Sequence, residues 1–221
     1  MSADLDRNVV LRGEAELAER AGPLFLGCEE FACAATDLKT WAMPGYRERI
    51  VAERYKAAPA PVTYKLHNPA ALADEESERH LVEINKAGAR VRICTTDLPH
   101  ETIIVDRRVA ILAGPPAGGV REYTVVRSPS VVRGVISLFE ATWDKATDLD
   151  DYRRDRPPAL SEESVRILRL LAGGLKDEAA ARRLGMSLRT YRRRVAEILT
   201  LLDAGSRFQA GLRAHEFGLI G

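Results

Sequence analysis

The stretch "DEAAARRLGMSLRTYRRRV", residues 177–195, places four arginines within the six positions 189–194. A surface helix does not need that density of one charge, so its surroundings decide how it is read. Asp177 stands where an N-cap belongs, and Ala180 and Ala181 are small residues at the inward positions of a short helix. Gly185 permits a sharp turn, and Ser187 is a second cap that opens a helix running from about Leu188 to Leu202. Along that helix Tyr191, Val195, Ile198 and Leu202 share one side and form its core face. Arg189, Arg192 and Arg193, three and four residues apart, share another.

Helix, glycine turn and second helix with a basic outer face make a helix-turn-helix pattern. Arginine on the second helix suits DNA, because a guanidinium offers paired donors to guanine edges in the major groove and to phosphates. The pattern extends in both directions. "SEESVRILRLLAGGL" (161–175) begins with a serine cap and two glutamates in its first turn. Val165, Leu168, Leu171 and Ala172 repeat there at helical spacing, and Gly173-Gly174 stops the helix. "SRFQAGLRAHEFG" (206–218) reads as a fourth helix, whose Phe208, Leu212 and Phe217 could pair weakly with a second copy.

Charge separates this region from the rest. Residues 160–221 hold eleven Lys and Arg against seven Asp and Glu, whereas residues 1–159 hold twenty-two against twenty-five. A basic module that meets polyanions and a separate acidic body are expected. Between them "DLDDYRRDRPPAL" (148–160) is dense in charge, ends near Pro157-Pro158 and reads as a linker. The expected division is a first domain over 1–147, a linker over 148–159 and a DNA-binding domain over 160–221.

The run "LSEESVRILRLLAGGLKDEAAARRLGMSLRTYRRRVAEILTLLDAGSRFQAGLRAHEFGLI" (160–220) resembles the LuxR-type, or GerE-like, four-helix DNA-binding domain along its whole length. The resemblance implies an all-α module that binds double-stranded DNA. Carried over position by position, it puts Arg192 and Arg193 at base-contacting sites and Ser187, Arg189 and Thr190 near the DNA backbone. Arg207, at the start of the fourth helix, falls on a common phosphate contact. Tyr191 replaces the family's usual valine, Arg194 stands where histidine is frequent, on a half-buried flank, and Ala196 lacks a side chain that some members use on bases.

Before residue 148, strand and helix signals alternate, as in an α/β layer fold. Strands are expected in "EFACAATDL" (30–38), "PVTYKLHN" (61–68), "RVRICTT" (90–96) and "REYTVVRS" (121–128). "ETIIVDRRVAILAG" (101–114) can hold two strands turning near Asp106-Arg107, and the wholly apolar "TIIV" suggests an inner strand covered on both faces. Helices are expected in "YRERIVAERYKAA" (46–58), in "DEESERHLVEINKAG" (74–88, capped by Asp74 and ended by Gly88) and in "SVVRGVISLFEATWDKA" (130–146). In the last, Val131, Val135, Leu138, Phe139 and Trp143 are expected on the buried face. "GPPAGG" (114–119) reads as a mobile loop.

The order of these elements and the phrase "IIVDRRVAILAG" resemble half of a phospholipase D-type fold. In that family a His-x-Lys-(x)4-Asp set attacks phosphorus through His and holds phosphoryl oxygens through Lys. With Asp106 in the Asp slot, the Lys slot is Glu101 and the His slot Pro99. With His100 in the His slot, the other two are Thr102 and Arg107. Neither register supplies the set, so a degenerate domain without catalytic residues is expected, one that senses an unidentified small-molecule or protein effector or dimerises. His100 and His67 read as solvated or structural, and Trp41 and Trp143 as core or dimer contacts.

The three cysteines, Cys28, Cys33 and Cys94, lack metal-ligand spacing and read as buried reduced thiols. No metal, cofactor, membrane span or signal peptide is expected, and the location expected is cytoplasmic. The reading is a homodimeric, sequence-specific transcriptional regulator held together mainly by residues 1–147. The alternative is a phosphodiesterase or nuclease that uses its basic module to find nucleic acid; a third is a protein-interaction adaptor.

Overall fold

The computed structural model describes residues 8–38, 41, 61–98, 100–117, 120–154 and 156–220. The chain forms two compact units: Met1–Ala71 with Gly88–Asp148, and Leu72–Ala87 with Leu149–Gly221. The expected helix over 46–58 lies outside the described residues.

The first unit is built on an eight-stranded sheet of order β1-β7-β6-β5-β2-β3-β4-β8. Its elements in chain order are β1 (Val9–Arg12), α1 (Gly13–Leu26), β2 (Glu30–Ala35), β3 (Val62–His67), β4 (Arg90–Ile93), β5 (Thr102–Val105), β6 (Val109–Ala117) and β7 (Val120–Val126). A long helix (Pro129–Lys145) and the two-residue β8 (Thr147–Asp148) complete it. β3 runs parallel to β2 and β4, and the remaining pairings are antiparallel.

Alternation explains the layering. Successive strand side chains point to opposite faces. Cys33, Ile103, Val105 and Ile111 pack on one face with Leu17, Ala21 and Phe25 of α1. Ala32, Ile104 and Ala110 pack on the other with Val132 and Ile136 of the long helix. All four residues of "TIIV" are buried, and β5 lies between β2 and β6, as an inner strand should. Asp106 and Arg107 make the β5–β6 turn with φ of 50° and 55°. Asp106 Oδ1 fastens this turn by accepting from the backbone N–H groups of Glu29 and Glu30 at 2.8 and 2.9 Å.

Two expectations change here, and two elements are new. The long helix buries Val132 and Ile136, while Val131 and Leu138 are exposed, so the packed stripe is rotated from the expected one. Valines at 131, 132 and 135 satisfy two helical registers, and only the sheet selects between them. The Pro/Gly tract is not a loop from residue 114: β6 runs through it to Ala117, with a register shift between Ala113 and Pro116. Proline is compatible with a strand at such an irregularity. The strand Val9–Arg12 and the helix Gly13–Leu26 were not anticipated.

In the second unit the described regular elements are helical. α2 is Glu75–Lys86, capped by Asp74, whose side chain accepts from Ser77 N–H. Gly88, two residues past it, takes a φ of 102° that favours glycine. The long helix of the first unit being α3, the rest are α4 (Leu149–Arg154), α5 (Glu162–Ala172), α6 (Asp177–Arg183), α7 (Leu188–Leu201) and α8 (Arg207–Glu216). Thus the segment read as a linker contains a helix, α4, whose Leu149 is buried.

Ser161, Ser187 and Ser206 cap α5, α7 and α8, each accepting from the N–H three residues on. Each such cap is worth about 1 kcal/mol. The core of α5–α8 contains Ile167, Leu168, Ala180, Ala181, Tyr191, Val195, Ile198, Leu202, Ala210 and Ala214. In α5 the buried residues are Ser164, Ile167 and Leu168, and Ala172 of the expected stripe faces solvent.

Candidate nucleic-acid interface

Gly185 joins α6 to α7 with a φ of 69°, and a Cβ added there would meet nothing within 4 Å. Backbone conformation rather than lack of room therefore calls for glycine at this turn. Ser187 then fixes the start of α7: its Oγ accepts from Thr190 N–H at 3.1 Å and lies 2.9 Å from Thr190 Oγ1. With Tyr191, Val195 and Ile198 turned into the core, helical geometry leaves Arg189, Arg192, Arg193 and Ala196 exposed on the opposite side. The candidate DNA-contacting residues Arg189, Arg192 and Arg193 thus share one accessible face, with Ser187 and Thr190 at its N-terminal end.

These arginines are not loose. Arg192 Nε donates to Asp177 Oδ2 at 3.1 Å. Arg207, from the first position of α8, donates to the same carboxylate through Nη1 and Nη2 at 2.6 and 3.0 Å. Asp177 was expected to cap α6, but the cap position belongs to Lys176, and Asp177 is the first helical residue. Its carboxylate therefore turns sideways to the two arginines. Hydrogen bonds from Arg207 first and Arg192 second hold the Asp177 carboxyl below its ordinary pKa, outweighing partial burial.

A second carboxylate organises the other flank. Glu197, one turn on from Arg193, accepts from Arg193 Nη1 at 2.6 Å, Arg194 Nη1 at 3.1 Å and Arg79 Nη1 at 3.4 Å. Arg194 also pairs with Glu163 at 3.0 Å. Hydrogen bonding to Glu197 raises the Arg194 pKa further, so it stays charged.

Arg79 comes from α2, which is tied down by two more glutamates. Glu78, whose side chain is 1% exposed, accepts from Arg153 Nε at 2.7 Å, Arg156 Nη2 at 2.8 Å and Ala159 N–H at 2.8 Å. A buried charge needs such company, since leaving it unpaired away from water costs several kcal/mol. Glu75 accepts from Ser161 N–H at 2.6 Å and Ser164 Oγ at 2.9 Å, at the start of α5. Burial pushes the Glu75 pKa up, but these hydrogen bonds outweigh it and the net shift is downward. The ion-pair roles of Asp177, Glu197, Glu75, Glu78 and Arg79 are not legible in the sequence. Their partners lie up to 118 positions away, and no local period announces them.

In the first unit, Glu101 in the Lys slot is engaged already. Its carboxylate accepts from Thr36 N–H at 2.9 Å and Arg121 Nη1 at 2.6 Å. Asp106 is committed to the turn described above, and Pro99 lies outside the described residues. His100 is exposed, with Nδ1 3.2 Å from the Glu101 carbonyl oxygen, and His67 is buried with Nδ1 3.1 Å from that of Ala35. Trp41 packs on Tyr123 at 5.5 Å between ring centroids, and Trp143 packs on Tyr64 and Phe139. Cys28, Cys33 and Cys94 are buried free thiols. Among the described residues, no group of three or more His, Cys, Asp and Glu could hold a metal ion. No described helix is long and apolar enough to cross a membrane.

No protein-family model matches the chain. Over 141 residues it is 36% identical to the bialaphos biosynthetic pathway regulatory protein of Streptomyces hygroscopicus, a match covering 64% of this chain. The chain spans 55% of the length of that relative. Among solved structures, the archaeal chromatin protein TrmBL2 is similar with a TM-score of 0.49 at 12% identity, over 67% of this chain and 56% of that one. The phospholipase D family member Nuc from Salmonella typhimurium is similar with a TM-score of 0.49 at 13% identity, over 64% of this chain and 98% of that one.

Proposed function

We propose that the protein is a sequence-specific, double-stranded-DNA-binding transcriptional regulator with a LuxR-type helix-turn-helix module. The observation that carries this reading is the face of α7: Arg189, Arg192 and Arg193 stand exposed on a helix that a glycine turn and a serine cap place after α6. Base readers and phosphate anchors both need such donors. In this reading Arg192 and Arg193 meet base edges, Ser187, Arg189 and Thr190 meet the backbone, and Arg207 meets phosphate. The name of the S. hygroscopicus relative, a pathway regulatory protein, supports a regulatory role. Selection of duplexes from a random pool by the full-length protein tests it. A recurrent sequence motif is expected, and recovery of no motif overturns the reading.

The first unit acts in this proposal as a non-catalytic, phospholipase D-like sensing or dimerisation domain. Glu101 supports the absence of phosphodiester chemistry, because a carboxylate paired with Arg121 stands where that chemistry needs a phosphate-binding cation. Hydrolysis of bis-nitrophenyl phosphate above the rate of an Arg121→Ala, Glu101→Ala control overturns that part.

The dimer is proposed to form through the first unit, where Val131 and Leu138 expose apolar surface on α3. The competing surface is α8, whose Phe208 is 83% exposed. Sedimentation of full-length Leu138→Glu and Phe208→Ser variants separates the two. A dimer abolished by Phe208→Ser alone assigns the contact to α8 instead.

A further inference from the structure

We infer that Arg79 of α2 is a positioning residue for DNA reading: it anchors Glu197, and Glu197 holds Arg193 on the outer face of α7. The inference rests on the DNA-binding reading and adds to it a residue over a hundred positions away from the recognition helix.

The geometry is a chain of charge-assisted hydrogen bonds. Glu197 Oε1 takes Arg193 Nη1 at 2.6 Å, while Oε2 takes both Arg194 and Arg79. The Glu197 side chain is only 15% exposed, so it is held among three guanidinium groups rather than moving in solvent. Arg193 is 61% exposed, with one terminal nitrogen tethered and its remaining donors available to a base edge or phosphate. A tethered arginine loses less rotamer freedom on meeting DNA than an untethered one.

Arg79 can serve as the fixed end because α2 is itself fixed. One residue before it, Glu78 is buried against Arg153, Arg156 and Ala159 N–H. One turn before it, Glu75 lies 3.8 Å from Arg79 and takes the N-terminal serines of α5. One turn after it, Glu83 lies 4.0 Å away. Arg194, on the same helix as Glu197 and Arg193, ties this cluster to Glu163 of α5 at 3.0 Å, and Arg79 supplies the separate tie to α2. The reading head thus takes one positioning side chain from the segment encoded between β3 and β4.

The test is a double-mutant cycle in the full-length protein. Two duplexes of equal length are used: the one enriched by selection from a random pool, and one of scrambled sequence. The readout is the ratio of the two affinities, which cancels losses of folded protein and general changes in charge. Arg79→Met is expected to lower the ratio by about three- to tenfold, the effect of freeing one side chain at an interface. Arg193→Ala is expected to lower it more, and the double variant is expected to match Arg193→Ala alone. An unchanged ratio in Arg79→Met, or a full additional loss on top of Arg193→Ala, overturns the inference. Should Arg79→Met not fold, Arg79→Gln, which keeps a polar side chain among the same carboxylates, takes its place in the same cycle, and the same two results support or overturn the inference. A wild-type ratio near one overturns the DNA-reading proposal itself, and is seen before any variant is compared.

Discussion

Arg207 sets both terminal nitrogens of its guanidinium on the carboxylate of Asp177, joining the start of α8 to the start of α6. Arg192 reaches the same carboxylate from α7, so one side chain indexes three helices of the candidate DNA-binding face. A two-pronged pair of this kind fixes direction as well as distance.

Asp177→Asn separates placement from charge. Removing one negative charge beside two arginines should raise affinity for random DNA, because the local potential becomes more positive. Releasing Arg192 and Arg207 should at the same time lower the preference for the selected duplex by about 1 kcal/mol, the upper end for an ion pair with an exposed arginine. Titrations against both duplexes read the two effects apart. A parallel fall in both affinities contradicts this role for Asp177.

Arg192→Ala and Arg193→Ala should each weaken binding to the selected duplex by about 1–3 kcal/mol, with relaxed base preference in at least one. Arg207→Ala should instead weaken binding to all sequences and reduce the slope of log K against log salt by about one. Measuring affinity at several salt concentrations distinguishes base reading from phosphate anchoring. Unchanged affinity in both Arg192→Ala and Arg193→Ala removes them from the interface.

Glu78→Ala leaves Arg153 and Arg156 without their shared carboxylate in a buried setting. Breaking one side of a buried pair costs about 3–5 kcal/mol, and Glu78→Ala should destabilise the second unit by that order in denaturant unfolding. Loss below about 1 kcal/mol would mean that solvent replaces the carboxylate there.

Glu75 gives the pH dependence. Its folded pKa is lowered, so its contribution is present above the unfolded value of about 4.3 and is lost as pH falls through the folded value. The wild type should therefore exceed Glu75→Gln in Tm at neutral pH, with the gap closing below about pH 4. A gap that widens on acidification reverses the sign and refutes the assignment.

Tyr191 is fully buried, and its phenolic oxygen has no hydrogen-bond partner among the described residues. Burial raises its pKa, with the Asp177 charge adding to the effect, so the hydroxyl stays neutral. An unsatisfied buried hydroxyl costs about 1–3 kcal/mol, and Tyr191→Phe should leave Tm unchanged or higher. A drop of several degrees would reveal a bond that this hydroxyl makes in solution.

The sequence by itself determined what is local. Caps at Asp74, Ser161 and Ser187, the turn at Gly185 and the core stripe Tyr191–Val195–Ile198 depend on neighbours within a turn or two of helix, and each stands where local chemistry requires. The buried "TIIV" strand was legible for the same reason, an unbroken apolar run between polar flanks. Tertiary structure alone decided the rest. Which of two overlapping valine stripes α3 buries depends on the sheet beneath it, and whether Gly114–Ala117 is loop or strand depends on pairing with β7. That α2 belongs with the C-terminal helices follows from Glu75, Glu78 and Arg79 finding Ser161, Arg153 and Glu197. Charged side chains of this kind carry no periodic signature, because a solvated glutamate and a buried one are written with the same letter. Only the partner brought to it by the fold, at hydrogen-bond distance and away from water, tells them apart.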